Sequence, residues 1–195
     1  MSAAGHVTTG FSKPYVALYG NTGTTLNYSD GRLLARGVSA SASIETSTDN
    51  DFYADNILAE SAPASFTSGD LTLTVDGLFV DAERMIMGLP AAAANGFTAY
   101  GDDQAIPFVG VGFIVRHQSA GEITYQAMIF PKVQFELIST EANTQEETID
   151  WQTQELTAAI KRADDAARNW KQVGTPRSTE AAAEQDIKTY FAITE

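Results

Sequence analysis

The sequence predicts a mainly β fold, a β-sandwich or barrel-like arrangement with one packed helix and a C-terminal helix. Three observations point there. Leu71-Thr72-Leu73-Thr74-Val75 alternates apolar and hydroxyl side chains, the period of a half-buried strand. Similar short runs recur between turn residues, and only two stretches space their apolar residues as a helix does. At 195 residues the chain can bury one good core but not two comfortable ones, so a single domain over 1–195 is expected.

Residues 1–13, rich in Gly, Ser, Thr and Ala, read as a flexible arm. Tyr15-Val16-Ala17-Leu18-Tyr19 is a short strand, and Gly20-Asn21-Thr22-Gly23 a turn. Residues 37–45 alternate small and polar side chains, an extended strand able to lie close to another backbone or subunit. Residues 52–55 and 57–61 form two short strands about an Asp55-Asn56 turn. Ser68-Gly69-Asp70 reads as the turn before the Leu71 strand, which ends at Asp76-Gly77.

Phe79, Ala82, Met85, Ile86 and Leu89 fall at helical spacing, and Gly88 and Pro90 stop that helix. A long loop follows over 91–107; loops of this length commonly have a function or become ordered on assembly. Residues 108–117 and 123–130 make a hairpin about Ser119-Ala120-Gly121, and Pro131 breaks the run. Residues 148–160 read as a further strand pair with Trp151, Leu156 and Ile160 as apolar bulk. The last helix spans 178–191, capped by Ser178 or Thr179, with Ala183, Ile187, Tyr190 and Phe191 as its apolar stripe.

Charge is distributed unevenly. From Arg36 to Arg84 there are nine carboxylates (Glu45, Asp49, Asp51, Asp55, Glu60, Asp70, Asp76, Asp81 and Glu83) and no Lys or Arg between those two ends. Unpaired carboxylates are too costly to bury, so this segment must display its charge on a surface. The formal net charge of -13 makes repulsion from nucleic acid more natural than binding to it. Base concentrates instead in Lys161, Arg162, Arg168, Lys171 and Arg177.

Motifs for chemistry fail on inspection. Asp49 to Glu60 partly matches a calcium loop, but Tyr53 and Ala54 stand where an oxygen ligand and the turn glycine belong. Gly20 to Thr25 lacks the lysine and the following helix of a phosphate loop. With no cysteine and only His6 and His117, zinc sites and hydrolytic triads lack parts. Carboxylate pairs for glycoside hydrolysis are conceivable only because acids are abundant. The expectation is no enzyme, no metal and no cofactor. The N-terminus does not read as a signal peptide, and no stretch has the length and apolarity of a membrane span, so no membrane role is expected.

Ser43-Ile44-Glu45-Thr46-Ser47-Thr48-Asp49-Asn50-Asp51-Phe52-Tyr53-Ala54-Asp55-Asn56-Ile57-Leu58-Ala59-Glu60 resembles the major tail proteins of long-tailed bacteriophages, the phi13-type family. The order continues through the Gly69-centred segment to the Leu71 strand, and then the helix ending at Gly88-Leu89. Val109-Gly110-Val111-Gly112-Phe113-Ile114-Val115, residues 125–136 with Phe130-Pro131-Lys132, residues 149–156, and Thr179 to Ala183 resemble later family segments. The likeness covers about two-thirds of the chain, 38–160 and the final helix, and residues 1–13, 91–107 and the basic stretch fall outside it.

The resemblance implies a structural subunit with a tail-tube fold, forming hexameric rings that stack into a conduit for DNA ejection. Its implied partners are further copies of itself and other tail proteins (tape measure, tail terminator, distal tail protein). DNA would pass without specific binding, and the place of action would be the virion tail after assembly in the host cytoplasm. On this reading Asp49, Asp51, Asp55 and Glu60 face the lumen. Phe11, Tyr100, Asp102 and Asp103 are candidates for ring-to-ring contacts. A different class of function stays open beside it, a monomeric β-sandwich module binding carbohydrate or protein through Tyr100 or Tyr125.

Overall fold

The computed structural model describes residues 5–91, 96–102, 104–140, 144 and 151–194. The fold is mainly β. Along the chain run β1 (Val7–Thr22), β2 (Thr25–Leu33), β3 (Gly37–Thr46), β4 (Asn50–Ala54), β5 (Ile57–Ala62) and β6 (Phe66–Val75). They are followed by α1 (Val80–Ile86), β7 (Val109–Ser119), β8 (Glu122–Phe135), β9 (Gln154–Ile160), β10 (Gln172–Val173) and α2 (Glu180–Tyr190).

One antiparallel sheet has the order β2-β1-β7-β8-β9-β6-β3, with β10 added beside β8, while β4 and β5 pair with each other. β2 and β3 sit at opposite ends of that order, yet only residues 34–36 join them. Six strand spacings of about 4.8 Å would separate them by about 29 Å in a flat sheet. The link reaches about 14 Å at full extension. The sheet therefore curls until its ends approach, giving a barrel-like form. The link is fastened at the closure: Leu34 N–H donates to Pro14 O at 2.8 Å, Asp76 N–H donates to Arg36 O at 3.1 Å, and the Arg36 guanidinium pairs with the Asp76 carboxylate.

Two apolar layers flank this sheet. Leu71, Leu73 and Val75 of β6 point into the first, as their alternation predicts, with Val111 and Phe113 of β7, Phe130 and Phe135 of β8 and Leu156 of β9. α1 adds Ala82, Ile86 and, just past its end, Met87. The second layer lies under α2, where Ala183, Ile187 and Phe191 cover Tyr15, Ala17, Ile114, Ala127 and Ile129. β7 is buried on both faces because Gly110 and Gly112 let the Phe191 ring rest on its backbone; a Cβ at either position would collide with that ring. Thr179 caps α2, its hydroxyl accepting from Ala182 N–H at 3.3 Å.

Several expectations are corrected. Residues 7–13 are not an arm but the first half of β1, paired with β7 from Val7↔Gln118 onward. Backbone hydrogen bonds to a neighbour recruit a stretch whose small side chains signal little by themselves. Gly20 to Thr22 still belong to β1, and the turn narrows to Gly23 and Thr24. Ser68 to Asp70 run straight through β6, where Gly69 allows β3 to approach closely at Ser43 and Ile44. Pro131 lies inside β8, near the register shift between Val109↔Val133 and Val111↔Phe130, where the ladder tolerates a missing N–H. Within 148–160 there is one described strand, β9, and Trp151 is 84% exposed rather than core; residues 148–150 lie outside the described residues.

Candidate functional site

The most unusual feature is a β-ribbon that leaves the sheet. β3 and β6 pair from Gly37↔Val75 to Thr46↔Phe66, Ser47 N–H donates to Ser65 O, and the chain then continues as the β4–β5 hairpin. Asp55 and Asn56 both adopt positive φ (51° and 61°), the backbone of a two-residue primed turn that suits strand twist. Every residue of β4 and β5 is exposed.

The exposed surface is not polar. Phe52 is 63% and Ile57 70% exposed, and Tyr53 and Leu58 are open as well. Phe52↔Glu60 and Ala54↔Ile57 place Phe52, Ile57 and Glu60 on one face. Asp51↔Ser61 and Tyr53↔Leu58 lie on the other. A register shift after Phe52 produces this sorting, so each face has an acid beside large apolar side chains.

The acids predicted to line a lumen all belong to this ribbon. Asp49 accepts Ala64 N–H at 2.6 Å and so fixes the chain where β5 returns to β6. Asp51 accepts the Ser61 hydroxyl at 2.6 Å. Asp55 is in the turn and Glu60 on the Phe52 face. Asp51 and Glu60 thus stand on opposite faces of the ribbon. Among the described residues none of them forms an ion pair.

The predicted ring-to-ring residues scatter. Phe11 is no surface contact: its ring meets Phe113 edge-on at 5.0 Å and packs over Gly37, where a Cβ would strike it. It fills the gap where the curled sheet closes. Tyr100 is 57% exposed, but its hydroxyl is tied to Glu83 of α1 at 2.8 Å, and burial with that bond raises its pKa. Asp102 is exposed, and Asp103 lies outside the described residues.

Sequence reasoning missed two clusters, because both join residues far apart in the chain. Lys132 Nζ pairs with Asp164 at 2.7 Å and lies over the Tyr19 and Phe108 rings at 5.0 and 4.7 Å. Partial burial pushes the Tyr19 hydroxyl up to about 12, while hydrogen bonds from Lys132 and Tyr19 hold Asp164 below the usual carboxylate range. In the second cluster Arg162 donates to Phe66 O, and Trp170 stacks on the Phe66 ring at 5.0 Å and 7°. Residues 161–171 are thereby bound to the root of the ribbon.

A cleft of about 160 Å³ beside Glu136, Leu137, Ser139 and Glu155 is smaller than the roughly 300 Å³ at which ligand pockets begin. Among the described residues no three His, Cys, Asp or Glu gather as a metal site. No helix of the described residues is long and apolar enough to cross a membrane. In comparisons with known proteins, no protein-family model matched the chain, and no match was found among curated proteins.

Proposed function

We propose that the chain is a structural subunit that self-assembles into rings, and the rings into a tube conducting DNA, as the resemblance to phage major tail proteins implies. The observation that carries this reading is the β4–β5 hairpin, apolar on both faces and exposed on both. A two-stranded hairpin is marginal by itself in water. Phe52 and Ile57 on one side and Tyr53 and Leu58 on the other gain stability only by entering a contact with another surface.

Two further features support assembly. Among the described residues the β2 and β3 ends of the curled sheet approach without a ladder of hydrogen bonds between them, and subunits side by side can use such strand edges to continue a sheet. The net charge of -13 suits a wall past which DNA slides instead of sticking. On this reading the protein is no enzyme and needs no cofactor, its partners are its own copies and other tail proteins, and it works in the virion tail.

Negative-stain electron microscopy of the purified protein, with sedimentation velocity alongside, tests the proposal. Rings or tubes about a hollow centre are expected. A protein that stays monomeric at high concentration overturns it.

A further inference from the structure

The acidic ribbon has a counterpart on the same chain. Residues 161–171 contain Lys161, Arg162, Arg168 and Lys171, and among the described residues Lys161, Arg168 and Lys171 form no ion pair. The loop is rigidly built all the same. Ala163 is buried and its N–H donates to Asn169 O at 2.9 Å. Asp165 accepts from Arg168 N–H through its carbonyl, and from the Asn169 N–H and side-chain amide through its carboxylate. Arg168 sits at φ 53°, a left-handed position at the exposed tip that presents its side chain outward. The nearby carboxylate Asp164 is taken by Lys132. Ala166 and Ala167 are exposed in this loop, and Val173, in β10 just after it, is half-exposed.

The loop is held at the root of its own chain's ribbon, not at its Asp55 tip. It is fixed there beside Phe66, through Arg162 and Trp170. From the Ser47–Ser65 pair to Asp55 is eight residues, about 27 Å of extended strand. Screening at physiological salt acts over about 8 Å, so the tip charges and the loop charges of one molecule scarcely sense each other.

We propose that the Phe52 face and tip of the hairpin, with Ile57, Glu60 and Asp55, dock on the 161–171 loop of a second copy of this chain. Glu60 and Asp55 meet Lys161, Arg168 and Lys171, and Phe52 and Ile57 cover Ala166, Ala167 and Val173. The root of the ribbon and its receiving loop are at the same end of the molecule. Copies that share an orientation and stand side by side can therefore engage in turn around a ring, each giving a hairpin and receiving one. The inference rests on the self-assembly reading and names the surface it uses.

The chain has no cysteine, which makes cross-linking unambiguous. Differently tagged Asp55→Cys and Arg168→Cys proteins, mixed and oxidised, should give mixed disulfide dimers in excess over either homodimer. In a second arm, Lys161→Glu/Arg168→Glu/Lys171→Glu should raise the concentration needed for assembly at least about tenfold. Adding Asp55→Lys/Glu60→Lys to that variant should restore most of the loss. Wild-type rings together with no mixed disulfide and unimpaired assembly of the triple variant overturn this docking while leaving self-assembly intact. A wild-type protein that stays monomeric, with no disulfide formed, overturns both.

Discussion

Lys132 and Asp164 form an ion pair at 2.7 Å in which the largely buried lysine lies over two aromatic rings while the carboxylate stays exposed. Tyr19 completes it: its hydroxyl donates to the Asp164 carboxylate at 2.8 Å and accepts Asp164 N–H at 2.9 Å. One lysine thus ties β8 to β1 and to the basic loop after β9. Lys161 N–H donating to Lys132 O adds a backbone bond at the same place.

The arrangement predicts that Lys132→Ala destabilises the fold by about 1–3 kcal/mol, more than an ordinary surface lysine, since cation–π contacts and an ion pair are lost together. Tyr19→Phe, which keeps the ring and removes the hydroxyl, should cost less. Urea unfolding of the two variants checks the order; an effect of Lys132→Ala within about 0.5 kcal/mol of zero would reduce the cluster to surface decoration.

Acid should weaken the protein through two carboxylates. Burial alone would raise Glu184, but hydrogen bonds from Lys13 and Tyr15, with the charges of Lys13 and Lys188, outweigh it and leave the group below its ordinary range. Asp164 is lowered by its bonds from Lys132 and Tyr19. For a lowered carboxyl, the unfolded chain takes up its proton before the folded one does. The stabilisation is therefore complete above pH about 5 and is lost as pH falls through the folded values. Urea midpoints measured from pH 7 to pH 3 should drop below about pH 5, and Glu184→Gln should both lower the midpoint at pH 7 and flatten that drop. An unchanged slope in Glu184→Gln would exclude Glu184 as a source.

Gly112→Ala should loosen α2. The added methyl meets the Phe191 ring and the Ile187 side chain, both fully buried against β7. Overpacking of this kind costs about 1–3 kcal/mol. Gly121→Ala offers a contrast: nothing lies near its Cβ, but its φ of +91° opposes any side chain, so its cost arises from the backbone alone. In Phe191→Ala, which opens space over β7, Gly112→Ala should lose most of its effect, whereas Gly121→Ala should keep its own. Thermal unfolding of the double variants reads the difference.

What could be read from the residues follows from how local the cause is. The Asp55-Asn56 turn, the Leu71 to Val75 alternation and the Thr179 cap rest on neighbours a few positions away, and each stands where expected. The first half of β1 depends on β7, a hundred residues distant, and its small side chains leave little pattern. Pro131 sits inside a strand against its usual rule because the register shift between β7 and β8 absorbs the missing donor. Phe11 packs inside because the stretch around it is a strand, which its small neighbours do not signal. The acidic ribbon was legible as a charged surface, yet not its two-faced apolar character, because the shift after Phe52 decides which residues share a face.

The hairpin should prove separable from the fold. Ser47 and Ser65 already face each other, with Ser47 N–H donating to Ser65 O, so an Asn-Gly turn can replace residues 48–64 and close β3 onto β6 directly. No residue of β4 or β5 is buried, and the apolar layers are built elsewhere. The shortened protein should keep a midpoint of thermal unfolding within about 4 °C of the parent, equivalent to about 1–2 kcal/mol for a chain of this size. It should fail to assemble in negative stain. Removing residues 1–12 should do the reverse of what a loose arm would suggest, costing global stability, because the β1 residues from Val7 to Ser12 and the Phe11 plug go with it. If the shortened protein assembles as the parent does, the ribbon is not the element that joins copies; if it unfolds, the ribbon is needed for the fold as well.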